Sequence, residues 1–348
     1  HMPNPKISVI VPVYNSQKYL RHCLQRLAEQ TLPDIEVLMV NNNTPDGSQQ
    51  IMDEFAARDP RFKSFFRKDG MAGGARNEGL KHARGEYVAF VDADDWVLPS
   101  FLEVLYHNAR QYQADISSCH FVQKDEEEGL SPATPVPPEQ QHFLDRQKDG
   151  PAAWTPAITR NNVAWRKIIR TRLITDNRLS FPENLAYEDL AFTTACFLLA
   201  DKVCFSDEEL YIYQRRKQTF SHHRLQDDPY CVYAAFAHIR PVLDKAGVYA
   251  GVQEWLEYYI LEIICGGENG GNGLLKKVSL AQKRRFINQA RDFYLQLPSS
   301  LFQHRNAVFR LKFSLLLITL KYRLPWLPSL YRAPLNLFTA ISKPFMRS

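Results

Sequence analysis

Neither GxGxxG nor GxxxxGK[ST] occurs in the 348 residues. This disfavours Rossmann-type dinucleotide binding and P-loop hydrolysis, because both set those glycines under a phosphate. The six cysteines, Cys23, Cys119, Cys196, Cys204, Cys231 and Cys265, include no CxxC pair. Such scatter suits free thiols in a reducing compartment rather than a disulfide framework or a zinc site. The apolar stretch Phe309 to Leu320 contains Arg310 and Lys312, and its uncharged run is far shorter than the ~20 residues of a spanning helix. His1-Met2 reads as an expression remnant with no positively charged, apolar leader after it, so a cytoplasmic location is expected. Acidic residues are missing from Arg305 to Ser348, where eight Lys or Arg stand. Nucleic-acid recognition modules, aromatic platforms and zinc spacings are also missing, so that basic end is not read as a nucleic-acid surface.

What is present is a globular composition with a net charge of only +5, in a chain long enough for one large domain or two ordinary ones. Ile7 to Val13 is a short, β-branched strand, and Tyr14-Asn15-Ser16 supplies a turn before a helical pattern of Tyr19, Leu20, Cys23, Leu24 and Leu27. Ile35 to Val40 repeats the strand and runs into the polar loop Asn41 to Ser48, ahead of a helix carrying Ile51, Met52 and Phe55. A third strand near Phe62 to Phe66 leads through Asp69-Gly70-Met71-Ala72-Gly73-Gly74-Ala75-Arg76-Asn77 into a helix ending at His82. Strands alternating with helices predict an α/β fold with a mostly parallel sheet and right-handed crossovers.

The fourth strand, Tyr87 to Val91, stops at Asp92, Asp94 and Asp95. Ligands of open α/β sheets collect beyond the carboxyl ends of the strands, so the acids fall where a substrate is expected. Three carboxylates within four residues repel unless something positive neutralises them. Oxygen-only ligands favour Mg²⁺ or Mn²⁺ over Zn²⁺, and a divalent ion beside a phosphate meets that need. The competing reading is an acidic turn capping the next helix. Gly73-Gly74 permit close backbone approach and Arg76 offers a fork of donors to a phosphate, against the plainer readings of a helix-start turn and a surface charge.

Further along, Asp125 to Pro138 reads as an exposed insertion, with order resuming around Trp154. Ala164 to Arg170 is basic and edged by Trp165. Glu188-Asp189 opens an apolar helix to Ala200, where the helix dipole stabilises a carboxylate with or without catalysis. Tyr211 to His223 gives a strand leading into a cationic loop able to close over a diphosphate. The pattern is helical from about Pro229, and Gly266 to Gly273 reads as a flexible connector. Leu324 to Pro328 and Leu335 to Phe345 mix aromatic, apolar and basic residues as membrane-interface segments do; the alternative is a helix packed on the catalytic domain.

Five pieces in order, SVIVPVYNSQKYL, the strand with NNNTPDGS, GGARNEGLKHARGEYVAFVDADDW, YEDLAF and YIYQRRKQTFS, resemble the family 2 glycosyltransferases of the GT-A fold, the bacterial members that build lipopolysaccharide, O-antigen, capsule and other surface glycans. The resemblance spans roughly Lys6 to His223. It implies an inverting glycosyltransferase, a hexosyltransferase-type enzyme, moving a sugar from a nucleotide-sugar, with a UDP-sugar favoured, to a hydroxyl of a lipid-linked or polysaccharide acceptor. Pro12, Val13 and Tyr14 would meet the nucleoside, with Arg76 and Asn77 lining the pocket. Asn41 and Asn42 stand where the family has an acidic pair that reads uracil, which leaves a non-uridine donor or another activated group open. The D-x-D match puts Asp92 by the ribose or sugar and Asp94 on Mn²⁺ or Mg²⁺, with Asp95 supporting. Asp189 would be the base beside Glu188, Arg215 and Arg216 would stabilise the diphosphate, and Trp165 would stack on an acceptor sugar. His222 would complete the metal shell or be an exposed loop histidine.

The organisation expected is a catalytic domain over residues 1–225, with a mobile insertion at 124–150. A helical C-terminal region over 226–348 follows, its basic end on the inner face of the cell membrane. An oligomer is compatible with all of this. A saccharide-binding scaffold without turnover is the non-enzymatic alternative.

Overall fold

The computed structural model describes residues 5–68, 71–125, 129–131, 143–215 and 229–265. In chain order, β1 (Ile7–Val13), α1 (Gln17–Ala28), β2 (Ile35–Asn41), α2 (Ser48–Arg58), β3 (Phe62–Phe66), α3 (Ala72–His82) and β4 (Tyr87–Phe90) form the alternating half. Then follow β5 (Trp96–Val97), α4 (Phe101–Tyr112), β6 (Ile116–Asp125), β7 (Gly129–Ser131), β8 (Phe143–Asp145), α5 (Arg146–Arg160), β9 (Lys167–Arg170), α6 (Thr171–Asp176), α7 (Glu188–Leu199) and β10 (Lys202–Arg215). Two helices, α8 (Pro229–Lys245) and α9 (Tyr249–Cys265), end the described chain.

The strands make one sheet in the order β3-β2-β1-β4-β9-β6-β10-β5, with β7 beside β6 and β8 beside β10. Strands β1 to β4 are mutually parallel. Strand β9 runs against both β4 and β6, and β10 runs parallel to β6, so β6 and β10 share the direction of the first four. The sheet is mixed but mostly parallel. Its centre is apolar without alternation because helices cover both faces: Ile7, Val9, Ile10, Val11 and Val13 of β1 are all 0 % exposed. Each such side chain contributes about 1.5–3 kcal/mol of burial.

Within 124–150, where a mobile insertion was expected, the described residues are paired or helical. Strand β7 pairs with β6, β8 pairs with β10, and α5 starts at Arg146. The Asp145 carboxylate caps α5 by accepting a hydrogen bond from the Gln147 amide at 3.1 Å, so regular structure is present before Trp154. Residues 126–128 and 132–142 lie outside the described residues, as do residues 216–228 and 266–348. The connector at Gly266 to Gly273 and the basic end fall in the last of these ranges.

Contacts divide the chain into two compact units, His1–Thr219 with His238–Val248, and Phe220–Ala237 with Tyr249–Ser348. The first holds the whole sheet. In the second, the aromatic rings of Phe236, Trp255 and Tyr259 pack together. Among the described residues, no helix is long and apolar enough to cross a membrane.

Candidate active site

The acidic turn is built by strands on either side of it. Strand β4 leaves the sheet at Val91, whose amide still bonds Ile10 at 3.1 Å, and the chain folds back through an Asp95 amide to Asp92 carbonyl bond of 3.0 Å. Across the turn, Tyr211 of β10 donates its hydroxyl to Asp95 at 2.8 Å and accepts the Asp92 amide at 3.2 Å. The Gln214 amide donates to the other Asp95 oxygen at 2.8 Å. Asp95 is 1 % exposed and burial pushes its carboxyl well above the usual range, with Asp94 and Asp92 adding repulsion. It acts on the site by tying β10 to the turn.

Helix α7 is brought to the same edge by three rings. Phe181 and Phe192 stack at 3.8 Å, and Phe90, two residues before the first acid, meets them edge-on at 5.2 and 6.0 Å. Such aromatic contacts add about 0.5–1.5 kcal/mol each beyond the area they bury. They dock the N-terminus of α7, hence Glu188 and Asp189, beside β4.

Arg76 joins the two sets of acids. Its Nη2 donates to Asp92 at 3.0 Å and its Nη1 to Glu188 at 2.9 Å, while the guanidinium lies 5.5 Å over the Phe181 ring. The side chain is 5 % exposed. Burial disfavours its charge, yet Asp92, Glu188 and Asp189 together hold it more firmly protonated than a free arginine. Where a phosphate contact was expected, both terminal nitrogens donate to protein carboxylates. Arg76 holds one acid from the turn and one from α7 on a single fork.

Gly73 allows this. A Cβ there would lie 2.6 Å from the Pro182 carbonyl and 3.0 Å from Cγ of Glu188, so α3 comes close to the chain just before α7 only without a side chain. The glycines serve approach of the chain to itself. Gly73→Ala is expected to lose about 1–3 kcal/mol of stability to the clash, although alanine is the better helix former by about 1 kcal/mol. Urea denaturation measures this; an unchanged midpoint would refute the close-approach account.

Asp189 is partly exposed, with its Oδ1 accepting the Leu190 amide at 2.8 Å. Burial raises its pKa to about 7; Glu188 and Asp92 push it up and Arg76 pulls it down. Behind it lies Lys167, 0 % exposed, whose ammonium donates to the carbonyls of Val163 and Trp165. Burial and Arg166 lower the Lys167 pKa strongly, and Asp189 opposes that. The basic segment at 164–170 is thus turned inward, with the Arg166 guanidinium on the Cys119 carbonyl at 2.7 Å.

Trp165, expected on the acceptor side, is buried. It is 9 % exposed, stacked with Tyr211 at 4.7 Å and Tyr213 at 5.5 Å and edge-on to Phe121. A ring spent on core packing is no open platform for a sugar. At the other end of the edge, Val13 is buried and its carbonyl accepts the Asn42 amide at 2.9 Å, Pro12 is partly exposed, and Tyr14 is 37 % exposed. The first two loops are stitched together by Asn15 N to Thr44 Oγ1 and Gln17 N to Asp46 Oδ2, both 2.8 Å. Asn41 shapes its own loop, its oxygen accepting from the Thr44 amide at 2.8 Å and its NH₂ donating to Gln49 at 2.6 Å.

Asp94 lines a recess of ≈ 240 Å³ together with Lys18, His22, Trp96, Lys124 and Gln214. Among the described residues no group of three or more His, Cys, Asp or Glu is arranged to hold a metal ion. Asp95 is turned inward and Asp92 is engaged by Arg76. The donor set that fits Mg²⁺ or Mn²⁺ is Asp94 with phosphate and water oxygens, a common arrangement for Mg²⁺. Arg215 ends β10 in register with Asp125 and is exposed; Arg216 and His222 lie outside the described residues.

A mostly parallel sheet with an acidic turn at the carboxyl end of β4, faced by a carboxylate-bearing helix, is the layout of the GT-A fold. The model of Glycosyl transferase family 2 matches residues 8–187, and the chain belongs to that family. "Uncharacterized glycosyltransferase EpsJ" of Bacillus subtilis (strain 168) is 35 % identical over 221 residues, covering 62 % of this chain and 63 % of that protein. Poly(ribitol-phosphate) beta-N-acetylglucosaminyltransferase TarS of Staphylococcus aureus (strain Mu50 / ATCC 700699) is 27 % identical over 306 residues, covering 84 % of this chain and 50 % of that protein. The chain thus spans less than two thirds of the length of either relative. The crystal structure of S. aureus TarS 1-349 in complex with UDP-GlcNAc aligns at a TM-score of 0.68 and 23 % identity, covering 94 % of this chain and 91 % of that one, a likeness of fold.

Proposed function

We propose that the protein is an inverting hexosyltransferase that moves a sugar from a nucleotide-sugar, with a UDP-sugar favoured, to a hydroxyl of a bacterial surface-glycan acceptor. The observation that carries this reading is the Arg76 fork, which sets the acidic turn and the α7 carboxylates in one site. TarS is described with UDP-GlcNAc, which supports a uridine donor here. The asparagines at 41 and 42 favour the alternative of a different base.

Asp189, with a pKa of about 7, takes the proton of the acceptor hydroxyl, the role for which a carboxylate tuned near the working pH is suited. Glu188 and Arg76 fix where that carboxylate sits. Asp92 and the edge made by Pro12, Val13, Tyr14 and Asn41 orient the nucleoside. A divalent ion held by Asp94 would supply charge neutralisation to the leaving diphosphate, with Arg215 and Arg216 adding positive charge there. Displacement from the face opposite the diphosphate inverts the anomeric carbon.

The acceptor is a lipid-linked saccharide in this reading. The eight basic and no acidic residues from Arg305 to Ser348 would hold the enzyme on an anionic membrane, each basic residue contributing about 1 kcal/mol near such a surface.

Purified protein is to be given UDP-, GDP-, dTDP- and CDP-sugars with Mn²⁺ or Mg²⁺, and release of nucleoside diphosphate followed with and without acceptor lipid. The expected result is acceptor-stimulated release from one donor. Tight sugar binding with no release from any of them would refute the enzyme reading.

A further inference from the structure

We infer that Lys18 and Lys124 form a cationic clamp for the donor's diphosphate in the recess beside Asp94. The inference rests on the proposed nucleotide-sugar reading and adds two residues to it, one from α1 and one from the end of β6.

By sequence the turn is strongly acidic, yet the recess beside it is not. Asp92 gives an oxygen to Arg76 at 3.0 Å. Asp95 is turned inward with both oxygens held by β10. Asp94 is therefore the one carboxylate among the residues lining the recess, and two lysines line it as well. Two ammonium groups against one carboxylate leave an excess of positive charge, which suits a ligand carrying several negative charges in a small volume. A diphosphate is such a ligand, and its attachment to the transferred sugar requires it to lie beside the reacting atoms.

Both lysines are held before any ligand arrives. The Lys124 ammonium lies 5.1 Å over the Trp96 ring, and its carbonyl accepts from Gln214 at 3.2 Å. Lys18 lies 5.0 Å over the Tyr19 ring. It also stands in the first turn of α1, which carries no acidic residue. The helix dipole makes that end unfavourable for a cation and favourable for an anion. A lysine there adds to the attraction for phosphate. Cation–π contact limits the search of each ammonium.

The test uses the full chain and three probes: uridine, UDP and inorganic pyrophosphate, titrated calorimetrically against wild type, the Lys18→Ala/Lys124→Ala double variant and Lys18→Arg/Lys124→Arg. Loss of two charge-assisted contacts is expected to weaken UDP and pyrophosphate by about 10–100-fold and to leave uridine unchanged, with the arginine pair restoring most of the affinity. Lys18 is exposed and Lys124 partly so, and a thermal melt checks that the double variant is folded. UDP and pyrophosphate affinities within twofold of wild type would overturn the clamp. So would wild-type protein that binds UDP no better than uridine. If wild type binds neither uridine nor UDP, the uridine reading above fails, and the pyrophosphate arm decides the clamp alone: wild-type binding lost in the alanine pair supports it, and no wild-type binding overturns it.

Discussion

Asp189→Asn is expected to lower turnover by about 10²–10⁴-fold, the range a positioned general base contributes, and at the same time to make the protein more stable above neutral pH. Both effects have one origin. The native carboxyl titrates near about 7, whereas in the unfolded chain it titrates near ~3.9. Below pH 4 it is protonated in both states and costs nothing. Between the two values the unfolded chain ionises first, so stability falls as pH rises, and above about 7 the charge is held in the fold at full cost. Three units correspond to about 4 kcal/mol at most; solvent reaches this side chain, so about 2 kcal/mol is the expected gain from the neutral amide. Thermal melts at pH 3, pH 5 and pH 8 should show the variant's advantage absent at the first, partial at the second and full at the third, where it amounts to a few degrees. Wild-type kcat/KM should rise to a plateau through about pH 7. A variant that turns over normally, or whose extra stability is independent of pH, would contradict the assignment.

Removing the fork should have the largest effect on stability. Arg76→Met leaves Asp92 and Glu188 facing each other without their shared cation, and breaking a buried pair on one side costs about 3–5 kcal/mol. A fall in melting temperature of roughly 10 °C follows for a domain of this size. The sign of the catalytic effect is also fixed. Arg76 lowers the Asp189 pKa, so its loss should move the acidic limb of the pH profile above 7, and activity lost at neutral pH should return in part at higher pH. Arg76→Lys keeps the charge but not two donors in a fixed plane, and should fall between. A limb that stays in place would mean that Arg76 supports the fold without tuning the base.

The alternating half of the fold is legible in the sequence because burial on both faces writes long apolar runs; β3 has the expected limits, and α3 ends at His82 as expected but starts at Ala72, inside the stretch read as a loop. The acids at the end of β4 and the start of α7 at Glu188 are legible for the same reason, a run of apolar residues that stops. What the sequence conceals is partnership. Arg76 as a single letter reads equally as a phosphate ligand or a surface charge; only the 5 % exposure and two carboxylates 2.9 and 3.0 Å away decide it. Trp165 and Lys167 look like a basic, aromatic surface and are interior, the lysine because carbonyls at i−4 and i−2 accept its hydrogen bonds. The β7 and β8 pairings escape notice since three-residue strands have no periodicity to detect. One usable signal was the Gly73-Gly74 pair preceding Arg76, two residues without side chains where the chain must pass close to something.

The ring trio of Phe90, Phe181 and Phe192 has an evolutionary consequence. It belongs to the interior, where substitutions are tolerated least, and together with the Arg76 fork it sets how far Asp189 stands from the acidic turn. The loops after β1 and β2, by contrast, are joined to each other by a few hydrogen bonds and carry none of that spacing. Descendants of such a chain can therefore alter the loops while the placement of Asp189 against the turn is inherited with the hydrophobic interior.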